Sequence, residues 1–308
     1  MGGALCAALV LAWRYTHRFT VTRVSALASG PEPPAIDAGA VPGDPARRET
    51  LTIPVIFSTG SLYPFGLERV YAWATEVGFD GVEIMMDESW DTHQEDYLRS
   101  LAKRHGVPIK AFHTPLHRGA WRLAPEETLV RVARLAGRMA VPMVVTHPPP
   151  PGRPLEHWKK GPLRAARGHG VVVAVENMVR NRAGGMFGVR RRSCYLPEHL
   201  ADVGEVTFDT SHAGASKVDL LRAHSMLATQ LRHVHLSDSN LEAGRDEHRL
   251  PGKGRLPLKP FLAALATSGY SGAVSLELKP WPLGAPNPGT ILGRMRTALE
   301  FTREGLAV

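Results

Sequence analysis

The sequence predicts an α/β protein of the (β/α)8 class, a TIM barrel preceded by a flexible N-terminal extension. From Leu51 onward, short apolar runs typical of buried strands alternate with amphipathic stretches typical of helices. Eight such runs can be placed, which is the strand number of this barrel. A barrel of this kind uses about 250 residues, and the chain has 308. We therefore expect one barrel over residues 51–308.

The predicted strands are apolar and are bounded by residues that favour turns. They are Thr52–Ser58, Gly81–Met86, Ile109–Thr114, Met143–His147, Val171–Asn177, Glu205–Thr210, Leu231–Ser237 and Ala273–Lys279. The predicted helices between them are Leu67–Glu76, Glu95–His105, Glu126–Met139, Leu258–Ser268 and Leu292–Glu304. Helices after the fourth and fifth strands are only weakly indicated, because a proline-rich run (148–154) and a basic loop (180–192) follow those strands. We expect long loops there, at the active face.

Residues 1–50 have a different composition from the rest. The apolar run Ala4–Trp13 is short for a membrane span and lacks the basic residues that precede the core of a signal peptide. The segment Ser29–Ala46 is rich in Pro, Gly and Ala without periodicity, so we expect a poorly ordered extension that does not pack on the barrel. Cys6 and Cys194 have no metal-binding spacing. A cytoplasmic protein with no membrane partner is predicted.

Lys and Arg number 37 against 29 Asp and Glu, which gives a formal charge of +8. This balance is compatible with an anionic substrate, either a phosphorylated compound or a nucleic acid, and does not choose between them. The sequence contains no glycine-rich phosphate loop, so no nucleotide cofactor is expected.

Residues that commonly bind metals stand at the C-terminal ends of six consecutive predicted strands and in the loop after the seventh. They are His113, His147, Glu176, Asp209 with His212, His235, Asp246 with His248, and Glu277. Each alone has an ordinary explanation, such as a buried core histidine, a helix cap or a salt bridge. However, the C-terminal ends of parallel barrel strands meet in one ring, where unpaired carboxylates would repel each other. We therefore predict a divalent-metal centre.

The types of ligand limit the choice of metal. Carboxylates and imidazoles without sulfur suit zinc, manganese, cobalt, iron or magnesium, and the histidine content favours a transition ion over magnesium. One ion needs about four to six ligands, which is fewer than the candidates present. Either some candidates contact substrate or orient a ligand, or more than one ion is bound.

These motifs resemble the xylose-isomerase-like TIM-barrel superfamily over residues 51–308. They read HTP, THP, VENM, FDTSH, HVHLSD, DEHRLPGKG and LELKP. The superfamily includes sugar phosphate isomerases and epimerases, and also the family-2 apurinic endonucleases of the endonuclease IV type. The resemblance is specific for the superfamily but does not select one activity.

The resemblance to the isomerases and epimerases implies a divalent metal held by Glu176, Asp209, His235 and Glu277. His212 would contact the oxygens of a small, sugar-like substrate. Glu176 and Glu277 would transfer a proton at the carbon next to a carbonyl group, through a metal-stabilised enediolate. The sequence is compatible with a homo-oligomer but does not indicate one.

The resemblance to the endonucleases implies that all nine positions bind three zinc ions that act on a phosphodiester, and DNA is a partner only in this alternative. The basic loop 180–192 would suit a phosphate backbone. Against it, the first strand, PVIFSTGSLYP, lacks the His-Val-Ser start typical of the repair enzymes. Lys253 departs from the acidic residue usual between the two glycines in both groups.

A barrel that only binds, without catalysis, is disfavoured because the ring of candidate ligands is complete.

Three further residues are candidates for supporting roles. Glu83, at the end of the second strand, forms either a structural salt bridge or a substrate contact. His233 points the same way as His235 by the period of two, so one of them is expected deeper in the barrel as a partner that orients the other. Trp281 is a candidate for the wall of the pocket.

Overall fold

The structure, a computed structural model, describes residues 52–116, 121–149, 154–180 and 194–307. Eight parallel strands close into a barrel in sequence order, which confirms the predicted TIM-barrel fold. The strands are β1 Val55–Ser58, β2 Val82–Met85, β3 Ile109–His113, β4 Met143–Thr146, β5 Val172–Glu176, β6 Val206–Asp209, β7 Leu231–Leu236 and β8 Ala273–Leu276. The predicted extension, the region 150–153 and nearly all of the basic loop (181–193) lie outside the described residues.

Ten helices surround the described part of the barrel. They are α1 Leu67–Val77, α2 Glu95–His105, α3 Pro125–Met139, α4 Leu155–Trp158, α5 Arg164–Arg167, α6 Thr210–Ala215, α7 Leu220–Leu227, α8 Leu258–Thr267, α9 Pro280–Leu283 and α10 Pro288–Leu306. Within the ranges described, none is both long and apolar enough to cross a lipid bilayer.

The helical segment between β4 and β5 is longer and more continuous than the sequence indicates. A π-helical turn, Lys159–Leu163, joins α4 directly to α5. Pro162 lies inside this turn, and a wide π turn is a common way to accommodate a helical proline, which cannot donate a backbone hydrogen bond. Trp158 and Leu163 are buried, so burial of this apolar face stabilises the segment.

Alternate strand residues face the helices and the barrel interior. Phe208 faces outward, and its ring packs 5.8 Å from that of Phe261 on α8. Several inward positions are polar and buried, and they include Glu83 on β2 and His233 on β7, which contact each other across the barrel. The barrel therefore contains titratable groups below its C-terminal end.

Candidate metal centre

Four carboxylate and imidazole side chains from consecutive strands converge at the C-terminal end of the barrel. Glu176 ends β5, Asp209 ends β6, His235 lies near the end of β7, and Glu277 follows β8 directly. One potential ligand atom from each lies within 4.8 Å of the others. Asp209 and His235 are paired in the β6–β7 register, which fixes their separation. The fold thus assembles the four residues from well-separated sequence positions.

The imidazole of His235 is the centre of this group. Its Nδ1 atom lies 2.9 Å from Glu277 Oε2, 3.2 Å from Glu176 Oε1 and 3.8 Å from Asp209 Oδ2. Burial lowers the pKa of His235, but the surrounding charges of Glu277, Glu83 and Glu176 outweigh burial and raise that pKa well above its usual value. A positive charge is therefore strongly favoured at this point.

Asp209 provides the test of whether a cation fits. Its Oδ1 atom accepts a hydrogen bond from the backbone N–H of His212, 2.7 Å away, and so caps α6. Its Oδ2 atom is buried and has no hydrogen-bond partner among the described residues. Burial raises the pKa of Asp209 to about 6. A buried carboxylate oxygen aimed at two further carboxylates and an imidazole fits a divalent cation, which would relieve their repulsion.

A second group consists of His113, His147 and Glu176. Glu176 Oε2 lies 3.2 Å from His113 Nε2 and 3.0 Å from His147 Nε2. The Nδ1 atom of His113 donates to the carbonyl oxygen of Thr114 at 2.6 Å, so its Nε2 atom faces the site. Burial raises the pKa of Glu176, but His235, His113 and His147 outweigh burial and hold that pKa well below its usual range.

A third group consists of Asp209, His212 and His248, with Asp246 beside it. His248 Nε2 lies 2.9 Å from Asp246 Oδ1, and His248 Nδ1 donates to the Glu277 carbonyl oxygen at 2.9 Å. Burial lowers the pKa of His248, but Asp246 outweighs burial and raises the pKa to about 9. With this group, all nine residues singled out in the sequence lie at one end of the barrel.

Supporting residues that the sequence did not single out hold this arrangement. Asn177 Oδ1 accepts from the backbone N–H of Asp209 at 2.6 Å, and Asn177 Nδ2 donates to the Asp209 carbonyl at 3.0 Å. Ser211 Oγ accepts from the backbone N–H of His248 at 3.1 Å. Both follow candidate ligands in the chain, but small uncharged side chains carry no signal that distinguishes them from ordinary loop residues.

The two alternatives for Glu83 are resolved in favour of an ion pair. Its carboxylate is fully buried, and Oε2 lies 2.7 Å from His233 Nε2 and 3.2 Å from His235 Nε2. His233 is not one of the four candidate ligands and contacts the same Glu83 oxygen as His235, as expected for a residue that supports the orientation of His235. Trp281 is 69 % exposed and is not among the described residues that line the cavity.

Asp238 serves the loop after β7 instead of the candidate metal centre. Its Oδ2 atom accepts from the backbone N–H of Gly254 at 2.8 Å, and its Oδ1 atom accepts from that of Leu256 at 3.1 Å. The carboxylate thereby fixes the glycine turn that follows His248.

A cavity of about 610 Å³ opens beside the candidate metal centre. Glu277, His248 and Asp246 line it, together with residues of α1 and of the segments that follow β1, β2 and β3. Glu277 therefore faces a space that could receive a small molecule, whereas Glu176 is 1 % exposed and lies behind the imidazoles.

The family model described as xylose isomerase-like TIM barrel matches residues 71–296. The chain belongs to the xylose isomerase-like TIM barrel family. An uncharacterized protein of Mycobacterium tuberculosis, Rv0498, is 32% identical over 287 residues, which cover 82% of this chain and 98% of the relative. The recognised superfamily is thereby confirmed.

Solved structures of family-like barrels share the fold. A D-psicose 3-epimerase from Clostridium cellulolyticum H10, solved with D-tagatose, superposes with a TM-score of 0.63 at 15% identity, covering 83% of this chain and 100% of that one. A 3-keto-D-glucoside 4-epimerase from E. coli superposes with a TM-score of 0.60 at 18% identity, covering 82% and 99%. At these identities the similarity establishes a common architecture.

Proposed function

We propose that this chain is a metal-dependent isomerase or epimerase that moves a proton at a carbon next to a carbonyl group of a sugar. The observation that carries the proposal is the convergence of Glu176, Asp209, His235 and Glu277 within 4.8 Å beside a cavity. Further support comes from the solved barrels of the same fold, which include epimerases of sugars.

Glu277 is the proposed proton acceptor on the cavity side. Its side chain is 13% exposed and lines the cavity, so a substrate carbon can approach it. Burial raises the pKa of Glu277, but the facing His235 outweighs burial and lowers the pKa to about 2. The carboxylate is therefore ionised at neutral pH and can take a proton.

Glu176 is the proposed second proton carrier. Its Oε1 atom lies 3.2 Å from His235 Nδ1 and 3.3 Å from His212 Nδ1, and its Oε2 atom contacts His113 and His147. These four imidazoles orient the carboxylate and control its protonation. His212, with Nδ1 donating to the Asn177 carbonyl at 2.8 Å, is proposed to direct Nε2 toward substrate oxygens.

Glu176, Asp209, His235 and Glu277 would hold the divalent cation, which is zinc, manganese, cobalt or magnesium in this proposal. When bound, the cation would stabilise the negative charge that develops on substrate oxygens as the proton leaves.

The test is solvent hydrogen exchange. Purified protein is incubated in D2O with a panel of free ketoses and aldoses, after chelation and after addition of each of the four metals, and deuterium incorporation is followed by NMR. Incorporation at the carbon next to the carbonyl, restored by metal, is expected. If no sugar of the panel exchanges under any metal, the proposal is wrong.

A second candidate, a phosphodiesterase of the endonuclease type, is favoured by one observation. Three groups of potential ligands lie side by side, as a three-ion centre would require. Elemental analysis of the purified chain separates the two: about one ion per chain is expected of the isomerase. Two or three tightly held zinc ions, together with cleavage of DNA that contains an abasic site, would establish the second candidate instead.

A further inference from the structure

Part of the lining of the cavity beside Glu277 is apolar, and this part is here called the apolar half-pocket. It is lined by Tyr63, Phe65, Val70, Met86 and Leu116. These residues belong to α1 or follow β1, β2 and β3, whereas Glu277, Asp246 and His248 follow β7 and β8. A bare sugar, which presents hydroxyl groups on every side, would leave this surface without a matching partner.

Four of the large exposed hydrophobic side chains line the cavity or are next in the chain to residues that line it. Among the described residues the large exposed ones are Tyr63, Trp90, Leu116, Leu221, Met226 and Trp281. Tyr63 and Leu116 line the cavity, and Trp90 and Trp281 are chain neighbours of lining residues. These four follow β1, β2, β3 and β8, which are adjacent in the barrel. Such a patch next to a pocket marks a site of contact with an apolar group.

The charges of the described lining disfavour a phosphate. Asp87, Glu88 and Asp91 line the cavity near the half-pocket. Lys279 is the one lysine or arginine among the described lining residues, and its ammonium group contacts the backbone carbonyl of Asp246 and lies 3.6 Å from the Asp246 carboxylate. Because this cation already has a carboxylate partner, a phosphate group in the cavity would meet mainly negative charge.

We propose that the substrate is a non-phosphorylated sugar joined to an apolar substituent, such as an aryl group. The sugar would lie at Glu277, and the substituent would occupy the apolar half-pocket. The volume of about 610 Å³ is in the range of pockets that hold drug-sized ligands, about 300–1,000 Å³, and leaves room for more than a single sugar ring. This inference rests on the proposed function, since it assigns the reacting part of the substrate to Glu277.

The test is calorimetric binding to the metal-loaded full chain. The probes are the 3-keto derivatives of D-glucose, D-galactose and D-mannose, which keep a carbonyl group when the anomeric carbon is substituted, each as the free sugar, the 6-phosphate, and the α- and β-phenyl glycosides. For at least one sugar, a phenyl glycoside is expected to bind about tenfold or more tightly than the free sugar. The 6-phosphate of that sugar is expected to bind no more tightly than the free sugar. If no phenyl glycoside gains affinity, or if a 6-phosphate binds more tightly than its phenyl glycoside, the inference is wrong.

Variants locate the binding site. Tyr63→Ala and Leu116→Ala remove exposed side chains and are expected to abolish most of the phenyl advantage while leaving affinity for the free sugar unchanged. Leu221→Ala, an exposed leucine on α7, is the matched control and should bind like the parent chain. An unchanged phenyl advantage in both Tyr63→Ala and Leu116→Ala would overturn the inference.

Two further outcomes are distinguishable. Sedimentation that shows a dimer dissociated by Trp281→Ser, without any gain from phenyl groups, would assign the patch to a second copy of the chain and overturn the inference. A chain that binds phenyl glycosides but exchanges no sugar proton contradicts the proposed function. A chain that exchanges sugar protons but prefers 6-phosphates contradicts only this inference.

Discussion

Glu83 and His235 form a buried contact across the barrel, with Glu83 Oε2 3.2 Å from His235 Nε2. The opposite ring nitrogen, Nδ1, faces Glu277 at 2.9 Å. Because Glu83 accepts a hydrogen bond from Nε2–H, the lone pair of the neutral ring lies on Nδ1, toward the other candidate ligands. A residue from the first half of the barrel thus sets which atom of His235 could bind a metal.

Glu83→Gln is therefore expected to weaken metal binding by about 10- to 100-fold, the usual effect of losing the partner of a ligating histidine. Titration calorimetry with manganese or zinc, on chelated protein whose circular dichroism matches that of the parent, is the measurement. Glu300→Gln, an exposed glutamate on α10, is the control. Equal metal affinities of the parent chain, Glu83→Gln and Glu300→Gln would show that Glu83 does not orient His235.

Glu277→Gln is expected to lower the turnover rate by at least about 100-fold, because the amide cannot take up a proton. Glu176→Gln should do the same, while the fold of each variant stays intact. Deuterium incorporation and thermal melting are compared with those of Glu300→Gln. A fully active Glu277→Gln enzyme would contradict the proposed mechanism.

Glu95 connects α2 to α3 on the outer layer, with Arg138 Nε 2.7 Å from its Oε2 atom. Arg138 and Arg99 lower the pKa of Glu95. A folded-state pKa below that of the unfolded chain gives stability that is present at neutral pH and is lost as pH falls below about 4.5 through the folded pKa. Because the pair is near the surface, the contribution is at most about 1 kcal/mol.

Chemical denaturation of Glu95→Gln across pH is the corresponding measurement. The variant should be less stable than the parent at pH 7, and the difference should vanish in acid below the folded pKa. A deficit that persists unchanged in acid would show that the loss has another origin than the charge of Glu95.

Gly254 is required by the tight approach of the turn to Asp238 and Ser239. A Cβ atom at this position would lie 2.6 Å from the Ser239 carbonyl oxygen and would also collide with the Asp238 carboxylate. Gly254→Ala is therefore expected to destabilise the fold by about 1–3 kcal/mol. Gly293→Ala, on α10, where a Cβ meets nothing within 4 Å, should instead stabilise it by about 0.5–1 kcal/mol. Chemical denaturation gives the free energy of unfolding of both variants. An unchanged free energy of unfolding in Gly254→Ala would contradict the steric argument.

The sequence predicts the barrel and its ring of candidate ligands because both depend on local patterns. Each strand is an apolar run, and most of the candidate ligands stand at or just beyond the end of one, so His147 and Glu277 follow β4 and β8 by a single residue. The short helices α6 and α7 were not predicted, because they contain too few residues for a clear helical period. The helical segment between β4 and β5 is only weakly indicated by the sequence, because the proline-rich run 148–154 precedes it.

What the sequence could not indicate are relationships across the barrel. The contact of Glu83 with His235 joins residues far apart in sequence, and so does the pairing of Asn177 with the backbone of Asp209. The cavity likewise joins residues after β7 and β8 to residues after β1, β2 and β3, and these segments become neighbours only when β8 pairs with β1. Such features depend on which strands pair and on closure of the sheet, which no local pattern encodes.

The four candidate ligands come from β5 to β8, whereas most of the apolar half-pocket comes from β1, β2, β3 and α1. In the proposed function, reaction chemistry and ligand preference would thereby be carried by different halves of one barrel. An exchange of the first three strand-to-helix loops between relatives would transfer selectivity without touching the proton-moving carboxylates. Under this proposal, replacement of loops in the N-terminal half would change the substituent that is accepted and leave the proposed reaction unit of the C-terminal half in place.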